Sequence, residues 1–224
     1  MRILGISGSL RRGSHNRELL RAAAAALPAG VDLVEWDGLS ELPAFDEDQE
    51  KAPAEPVRAF LEEIASADAL LIATPEYNAS LPGALKNALD WASRPFPASV
   101  LRGKPSAVIG ASTGPFGAVW AQAELRKTLT ASGAHVVDAE LPVGTAAGAF
   151  ALDGTLADPT LSARLRRLLD DLVRAGSPAP RAGRSEVLDL VRAPDDSHER
   201  RARQTPASGQ RSRPGAPLGA PARC

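Results

Sequence analysis

The chain has 224 residues, of which 44% are hydrophobic and 24% charged, and its formal net charge is -1. This balance is typical of one α/β domain with a full core, and it points to neither nucleic acid nor a membrane as the partner. No apolar run reaches membrane-spanning length, and the sequence enters a predicted strand where a signal peptide would begin. The single cysteine, Cys224, cannot close a disulfide within the chain, so we expect a cytoplasmic protein.

Charge and composition divide the chain at about residue 175. Residues 176–224 contain nine arginines against five acidic residues and are crowded with Pro, Gly and Ser, whereas residues 1–175 carry a net charge of -5. A segment of this composition buries too little apolar surface to order itself. We therefore predict a folded domain over 1–175 and a disordered tail over 176–224. The tail is interpreted as a solvated extension, with contact to nucleic acid or anionic membranes as the alternative.

The first half of the domain begins with a predicted strand at 2–7. A helix follows over about 16–27, where five consecutive alanines favour helix formation. The alternating segment 31–36 predicts the second strand. The sixteen residues 37–52 form a loop that is long for a compact domain, which is typical of functional loops. A second helix is predicted over about 55–66.

The continuous apolar run at 67–74 predicts a strand that is covered on both faces. The next helix is predicted over 80–92, with Ser80 as its candidate N-cap and Pro82 in its first turn. Two further strand–helix pairs complete the pattern, with strands at 104–112 and 134–141 and helices at 117–131 and 160–174.

Five strands that alternate with five helices predict a parallel sheet with helices on both faces. In the doubly wound order 2-1-3-4-5, the winding direction reverses between strands one and three, and ligands bind at the carboxyl ends of those strands. Two unusual loops follow these strands, GSLRRGSHN at 8–16 (the first loop) and TPEYNAS at 74–80 (the second loop). A third, glycine-rich loop follows strand four, ASTGPFGA at 111–118 (the third loop).

The first loop has the features of a phosphate site. It offers neutral donors, the cations Arg11 and Arg12, and the N-terminus of the following helix, which together favour a dianionic phosphate. It lacks the Gly-Lys-Ser/Thr ending of a P-loop, so it suits a terminal phosphate monoester better than a triphosphate with metal. The alternative is a surface loop with a capped helix.

The second and third loops suit a flat ring. Pro75 stiffens the strand exit, and the residues that follow it bring polar edges and Tyr77, the only tyrosine of the chain. Three loops at one edge of a sheet could hold a ring, a ribityl chain and a phosphate.

These loops resemble the NADPH-dependent FMN reductase family, which includes bacterial chromate and quinone reductases. The resemblance is carried by GSLRRGSHN, TPEYNASLPGALKNALDWASRP and GKPSAVIGASTGPFGA, and it extends over about 2–173. It implies a flavodoxin-like fold with bound FMN and NADPH or NADH as the electron donor. The acceptors that it implies are quinones, azo compounds, free flavin or chromate-like oxidants.

The resemblance also implies which residues hold the cofactor. In the first loop these are Ser9, Leu10, Arg11, Ser14, His15 and Asn16, which surround the phosphate, although His15 could equally face solvent. In the second loop they are Pro75, Glu76, Tyr77 and Asn78, which line the isoalloxazine. In the third loop they are Ser112, Thr113 and Gly114, on the other side of the ring.

One position departs from the family pattern. Many relatives carry an arginine early in the fourth helix, linked to subunit contacts or cofactor approach, where this chain has Trp120. We still predict a homodimer or homotetramer, because Trp91 and Trp120 are aromatic residues of the kind enriched at interfaces.

Because a flavin carries the chemistry itself, no catalytic side chain is predicted beyond the cofactor pocket. No metal site is predicted, since the acidic stretch 46–50 is typical of a solvated turn. The expected enzyme follows ping-pong kinetics, because nicotinamide and acceptor would use the same face of the flavin. A non-enzymatic electron carrier of flavodoxin type is the alternative. Such carriers usually present a strongly acidic face, whereas the net charge of -5 makes this domain only mildly acidic. A phosphotransferase is disfavoured by the missing P-loop lysine.

Overall fold

A computed structural model of the chain describes residues 1–177. The predicted tail therefore lies almost entirely outside the described residues. The strands are β1 Arg2–Ser7, β2 Asp32–Trp36, β3 Ala69–Thr74, β4 Pro105–Ala111, β5 His135–Val136 and β6 Pro142–Val143. The α-helices are α1 His15–Ala26, α2 Glu55–Ser66, α3 Gly83–Ala92, α4 Val119–Ala131 and α5 Pro159–Gly176.

The strands form one parallel sheet in the order β2-β1-β3-β4-β5, which confirms the predicted doubly wound topology. β3 and β4 are buried along their whole length, as the continuous apolar run of β3 predicted. Successive residues of a strand point to opposite faces, so Ile3 packs in the layer that contains α1 and α5, whereas Leu4 packs in the layer of α2, α3 and α4.

The prediction of one continuous fifth strand over 134–141 is wrong. Two strands of two residues each pair with β4 at separate places, His135–Val136 at its start and Pro142–Val143 at its end. Side chains of α4 satisfy the backbone between them: the Arg126 guanidinium donates to Ala139 O at 3.1 Å, and Gln122 Oε1 accepts from Leu141 N–H at 3.2 Å. These bonds replace those that a continuous strand would make with β4.

Two helix starts differ from the prediction. α3 begins at Gly83 after Pro82, which is the N-cap, so Ser80 does not cap this helix. α4 begins only at Val119, because Gly117 and Ala118 have φ angles of +59° and +60°, outside the helical region.

Trp91 is a core residue, with 2% of its surface exposed. Its Nε1 donates to Pro43 O at 2.9 Å, and its ring meets Phe45 edge to face at 4.9 Å. The prediction that Trp91 anchors a subunit interface is therefore wrong, because a buried ring has no surface to offer. These contacts also fix part of the long loop 37–52 against α3. Within residues 1–177, no helix is long and apolar enough to cross a bilayer.

Candidate functional site

The three predicted loops meet at the carboxyl edge of the sheet. Gly8 N–H donates to Ala73 O at 2.8 Å, which joins the first loop to the end of β3. A Cβ on Gly8 would lie 2.9 Å from Leu85 and 3.3 Å from Pro75, so this approach requires glycine. The switch point of the sheet is thus a closely packed junction between the first and second loops.

Asn16 joins the first loop to the third. Its side-chain nitrogen donates to Ala111 O at 3.0 Å, and its side-chain oxygen accepts from Ala111 N–H at 3.0 Å. The residue is 3% exposed. The side chain of Asn16, which was predicted to bind phosphate, thus exchanges two hydrogen bonds with the backbone at the end of β4.

The N-terminus of α1 forms the base of the first loop. Ser14 is its N-cap, and its hydroxyl accepts from Arg17 N–H at 3.4 Å. The N–H groups of His15 and Asn16 lie in the first turn of the helix and have no carbonyl acceptor within it. They are therefore available to an anion. Ser9 of the same loop is buried, and its hydroxyl accepts from Arg11 N–H at 3.4 Å.

The cations of the first loop have no acidic partner within residues 1–177. Arg11 and Arg12 are exposed, and no ion pair joins either one to a described residue. Arg17, in contrast, is paired with Glu35 at 3.3 Å and with Asp37. The hydrogen bond from Arg17 lowers the pKa of the Asp37 carboxyl. The first loop therefore presents uncompensated positive charge, whereas Arg17 is a structural residue.

His15 does not simply face solvent. Its Nδ1 lies 2.9 Å from the Glu18 carboxylate, and its ring stacks on Phe150 with centroids 6.4 Å apart and planes at 13°. The ring is thereby oriented at the rim of the first loop. Leu10 lies at the exposed tip of the same loop.

The second loop closes into a tight hairpin. Tyr77 and Ser80 exchange two backbone hydrogen bonds of 3.1 Å, and Asn78 and Ala79 between them have φ angles of +53° and +58°. Two successive positive φ angles are the signature of a type I′ turn. The turn leaves Tyr77 54% exposed, while Pro75 is buried at its base.

Glu76 turns away from the hairpin tip toward α4. Its Oε2 accepts from Trp120 N–H at 2.9 Å and from Ala121 N–H at 3.1 Å. Sequence reasoning placed this residue at the flavin ring and gave no signal of a bond to a helix 44 positions later.

The third loop packs against a fourth segment, residues 143–148, that sequence reasoning missed. Ser112 N–H donates to Val143 O at 3.0 Å, and Thr145 N–H donates to Gly114 O at 2.9 Å. A Cβ on Gly117 would lie 2.5 Å from Pro142 and Val143, which explains the glycine there. The signal available was the Gly-Thr-Ala-Ala-Gly run at 144–148, which follows the predicted fifth strand.

Thr113, Phe116 and Trp120 are exposed beside this loop. Phe116 and Trp120 meet edge to face, with centroids 5.2 Å apart. In the part of the chain that the structure describes, no group of three or more His, Cys, Asp or Glu side chains is arranged to hold a metal ion.

A doubly wound parallel sheet with a helix N-terminus, free arginines and hydroxyls at its switch point defines a mononucleotide-binding protein of flavodoxin-like fold. Residues 1–148 match the family described as NADPH-dependent FMN reductase. The chain therefore belongs to the NADPH-dependent FMN reductase family, as its loops predicted.

Known proteins agree with this membership. An NAD(P)H-dependent FMN reductase of Pseudomonas aeruginosa is 46% identical over 160 residues, covering 70% of this chain and 85% of that protein. A 2-hydroxy-1,4-benzoquinone reductase of a Burkholderia species is 49% identical over 128 residues, covering 56% of this chain and 68% of that protein. The structure of FerB, a flavoenzyme NAD(P)H:(acceptor) oxidoreductase from Paracoccus denitrificans, matches with a TM-score of 0.69 and 33% identity. The match covers 78% of this chain and 96% of FerB.

The chain is thus an NAD(P)H-dependent flavin oxidoreductase with FMN as its cofactor, and the alternatives of an electron carrier and a phosphotransferase are set aside.

Proposed function

We propose that the first, second and third loops form the FMN site, and that the enzyme reduces small-molecule acceptors of the quinone class. The observation that carries the proposal is the first loop itself: a helix N-terminus, a buried serine and two arginines without acidic partners in residues 1–177 lie at the switch point. This donor set fits a phosphate dianion. The name of the Burkholderia relative supports a quinone as acceptor.

The residues of the second and third loops fit the remainder of the cofactor. Tyr77 and Asn78 are exposed at the hairpin, and Thr113 is exposed on the third loop. Their polar groups can bind the edges of a flat ring from two sides. When bound, FMN supplies the redox chemistry by accepting a hydride from the nicotinamide and passing electrons to the acceptor, while the protein binds and orients the ring.

The kinetic mechanism that follows from one shared face of the flavin is ping-pong. Initial rates measured at several concentrations of NADPH and a benzoquinone are expected to give parallel double-reciprocal lines. Intersecting lines, together with a ternary complex trapped by a dead-end nicotinamide analogue, would contradict a single shared site. The same assay with NADH in place of NADPH determines the donor preference.

The proposal includes a homodimer or homotetramer that works in the cytoplasm. With Trp91 in the core, the support for an interface comes from Trp120 and Phe116, which are 49% and 61% exposed in one aromatic pair. Aromatic residues are enriched at protein interfaces. Light scattering at micromolar concentration distinguishes this assembly from an active monomer, which would refute it.

A further inference from the structure

We propose that Glu76 is a positioning residue, whose carboxylate fastens the second loop to the N-terminus of α4 and thereby holds the second and third loops together for the cofactor. The proposal rests on the proposed function, which assigns FMN to these loops.

The helix α4 has no cap of its own. Its N-cap residue, Ala118, carries no side-chain oxygen and has a left-handed backbone. The first N–H groups of any helix need an acceptor from outside the helix. Glu76 Oε2 supplies it, accepting from Trp120 N–H at 2.9 Å and Ala121 N–H at 3.1 Å. A carboxylate at this end also interacts favourably with the helix dipole.

The same hairpin makes a second contact with α4. The Ser80 hydroxyl donates to Glu124 Oε2 at 2.6 Å, one turn further along the helix. The two ends of the hairpin, Glu76 and Ser80, are therefore both attached to the first two turns of α4. Because α4 directly follows the third loop, the two loops are joined through the helix instead of being positioned independently.

A cap within the third loop would satisfy the helix but leave the hairpin attached to α4 by the Ser80–Glu124 hydrogen bond alone. The hairpin tip is exposed, and Asn78 and Ala79 pack against no core cluster. Without Glu76, the placement of the hairpin relative to α4 would be fixed less firmly before FMN binds, and completing it on binding would subtract from affinity. By capping α4 from the second loop, Glu76 therefore fixes the second and third loops relative to each other before the cofactor binds.

The experiment compares Glu76→Ala, Glu76→Gln and a matched control, Asp158→Ala. Asp158 caps α5 by accepting from Thr160 N–H at 2.7 Å, and α5 lies on the opposite face of the sheet from α4. The apoproteins are measured by hydrogen exchange at the amides of Trp120 and Ala121, by thermal melting, and by fluorescence titration with FMN.

In Glu76→Ala, we expect fast exchange at both amides and FMN affinity lower by about fivefold to thirtyfold. Glu76→Gln is expected to restore slow exchange and affinity, because one amide oxygen can accept both bonds. Asp158→Ala is expected to lower the melting temperature, because it removes a helix cap that stabilises the fold by a similar amount. The FMN dissociation constant should stay within about twofold of wild type, because this cap lies away from these loops.

Slow exchange in Glu76→Ala would overturn the proposal, because the cap would then be absent in solution. Unchanged FMN affinity despite fast exchange would overturn it as well, as would an equal affinity loss in Asp158→Ala. A wild-type apoprotein that binds no FMN would refute the proposed function and this proposal with it, and the wild-type titration alone identifies that outcome.

Discussion

Among the side chains of the first loop, some are proposed to bind the ligand and others hold the structure. Arg11 is exposed and has no acidic partner within residues 1–177, so its charge is available to a phosphate. We predict that Arg11→Ala weakens FMN binding by roughly tenfold to a hundredfold, which is the affinity that one charge-assisted hydrogen bond contributes. The stability of the apoprotein should not change. Fluorescence titration of the apoproteins measures the affinity, with Arg12→Ala as the control of equal charge and smaller effect. If Arg12→Ala proved the damaging change, the assumed position of the loop residues would be wrong.

The opposite result is predicted for Asn16→Ala. This change leaves the N–H and C=O of Ala111, at the buried end of β4, without their present partners. Buried polar groups left unsatisfied cost about 1–3 kcal/mol each, so the loss of both bonds should lower the free energy of unfolding by about 2–6 kcal/mol. Urea denaturation of the apoprotein measures it. Unchanged stability, combined with lost FMN affinity, would instead assign the Asn16 side chain to the ligand.

The two residues show what could be predicted from the sequence at this scale. Arg11 belongs to a local pattern, a strand followed by a loop and a helix start, which the fifteen consecutive residues 2–16 contain. The partner of Asn16 is 95 positions away, and that of Glu76 is 44 positions away. Such pairs form only when the sheet brings distant loops together, and no spacing in the sequence encodes them.

At the scale of elements, the hairpin of the second loop contains one strained residue. Ala79 has a φ angle of +58°, and a side chain in the left-handed region costs about 1–2 kcal/mol. We predict that Ala79→Gly raises the free energy of unfolding by about 0.5–1 kcal/mol, after the greater flexibility of glycine in the unfolded chain is subtracted. Thermal melting of the apoprotein measures the gain. The control is Ala163→Gly, at an exposed position inside α5, which should lower stability by about 0.5–1 kcal/mol.

Elements whose hydrogen bonds are made mainly with other backbone groups were predicted well. β1 and α2 have the predicted bounds, because continuous apolar runs and helical periodicity determine them locally. The fifth strand was predicted poorly, because Gln122 and Arg126 of α4 take over its backbone partners between β5 and β6. An apolar run indicates burial, but it does not specify whether the hydrogen bonds come from a neighbouring strand or from side chains.

For the whole molecule, the doubly wound order follows from alternating strands and helices together with the handedness of their connections. The two layers then bury both faces of β3 and β4, and the proposed position of the site at the switch point rests on this topology. The folded domain extends slightly further than the sequence predicted, since α5 continues through Gly176, one residue beyond the predicted end at 175.

The last prediction concerns that boundary. Leu172 is fully buried, and a Cβ on Gly176 would collide with Met1, so the final turn of α5 is part of the core. We predict that a chain ending after Ser177 keeps its FMN content and its NADPH:quinone turnover, because every buried residue of α5 is retained. A chain ending after Asp171 should lose stability by at least about 2–5 kcal/mol, the cost of removing one buried leucine. Loss of FMN from the chain that ends after Ser177, while circular dichroism shows it still folded, would show that residues 178–224 contribute to the site.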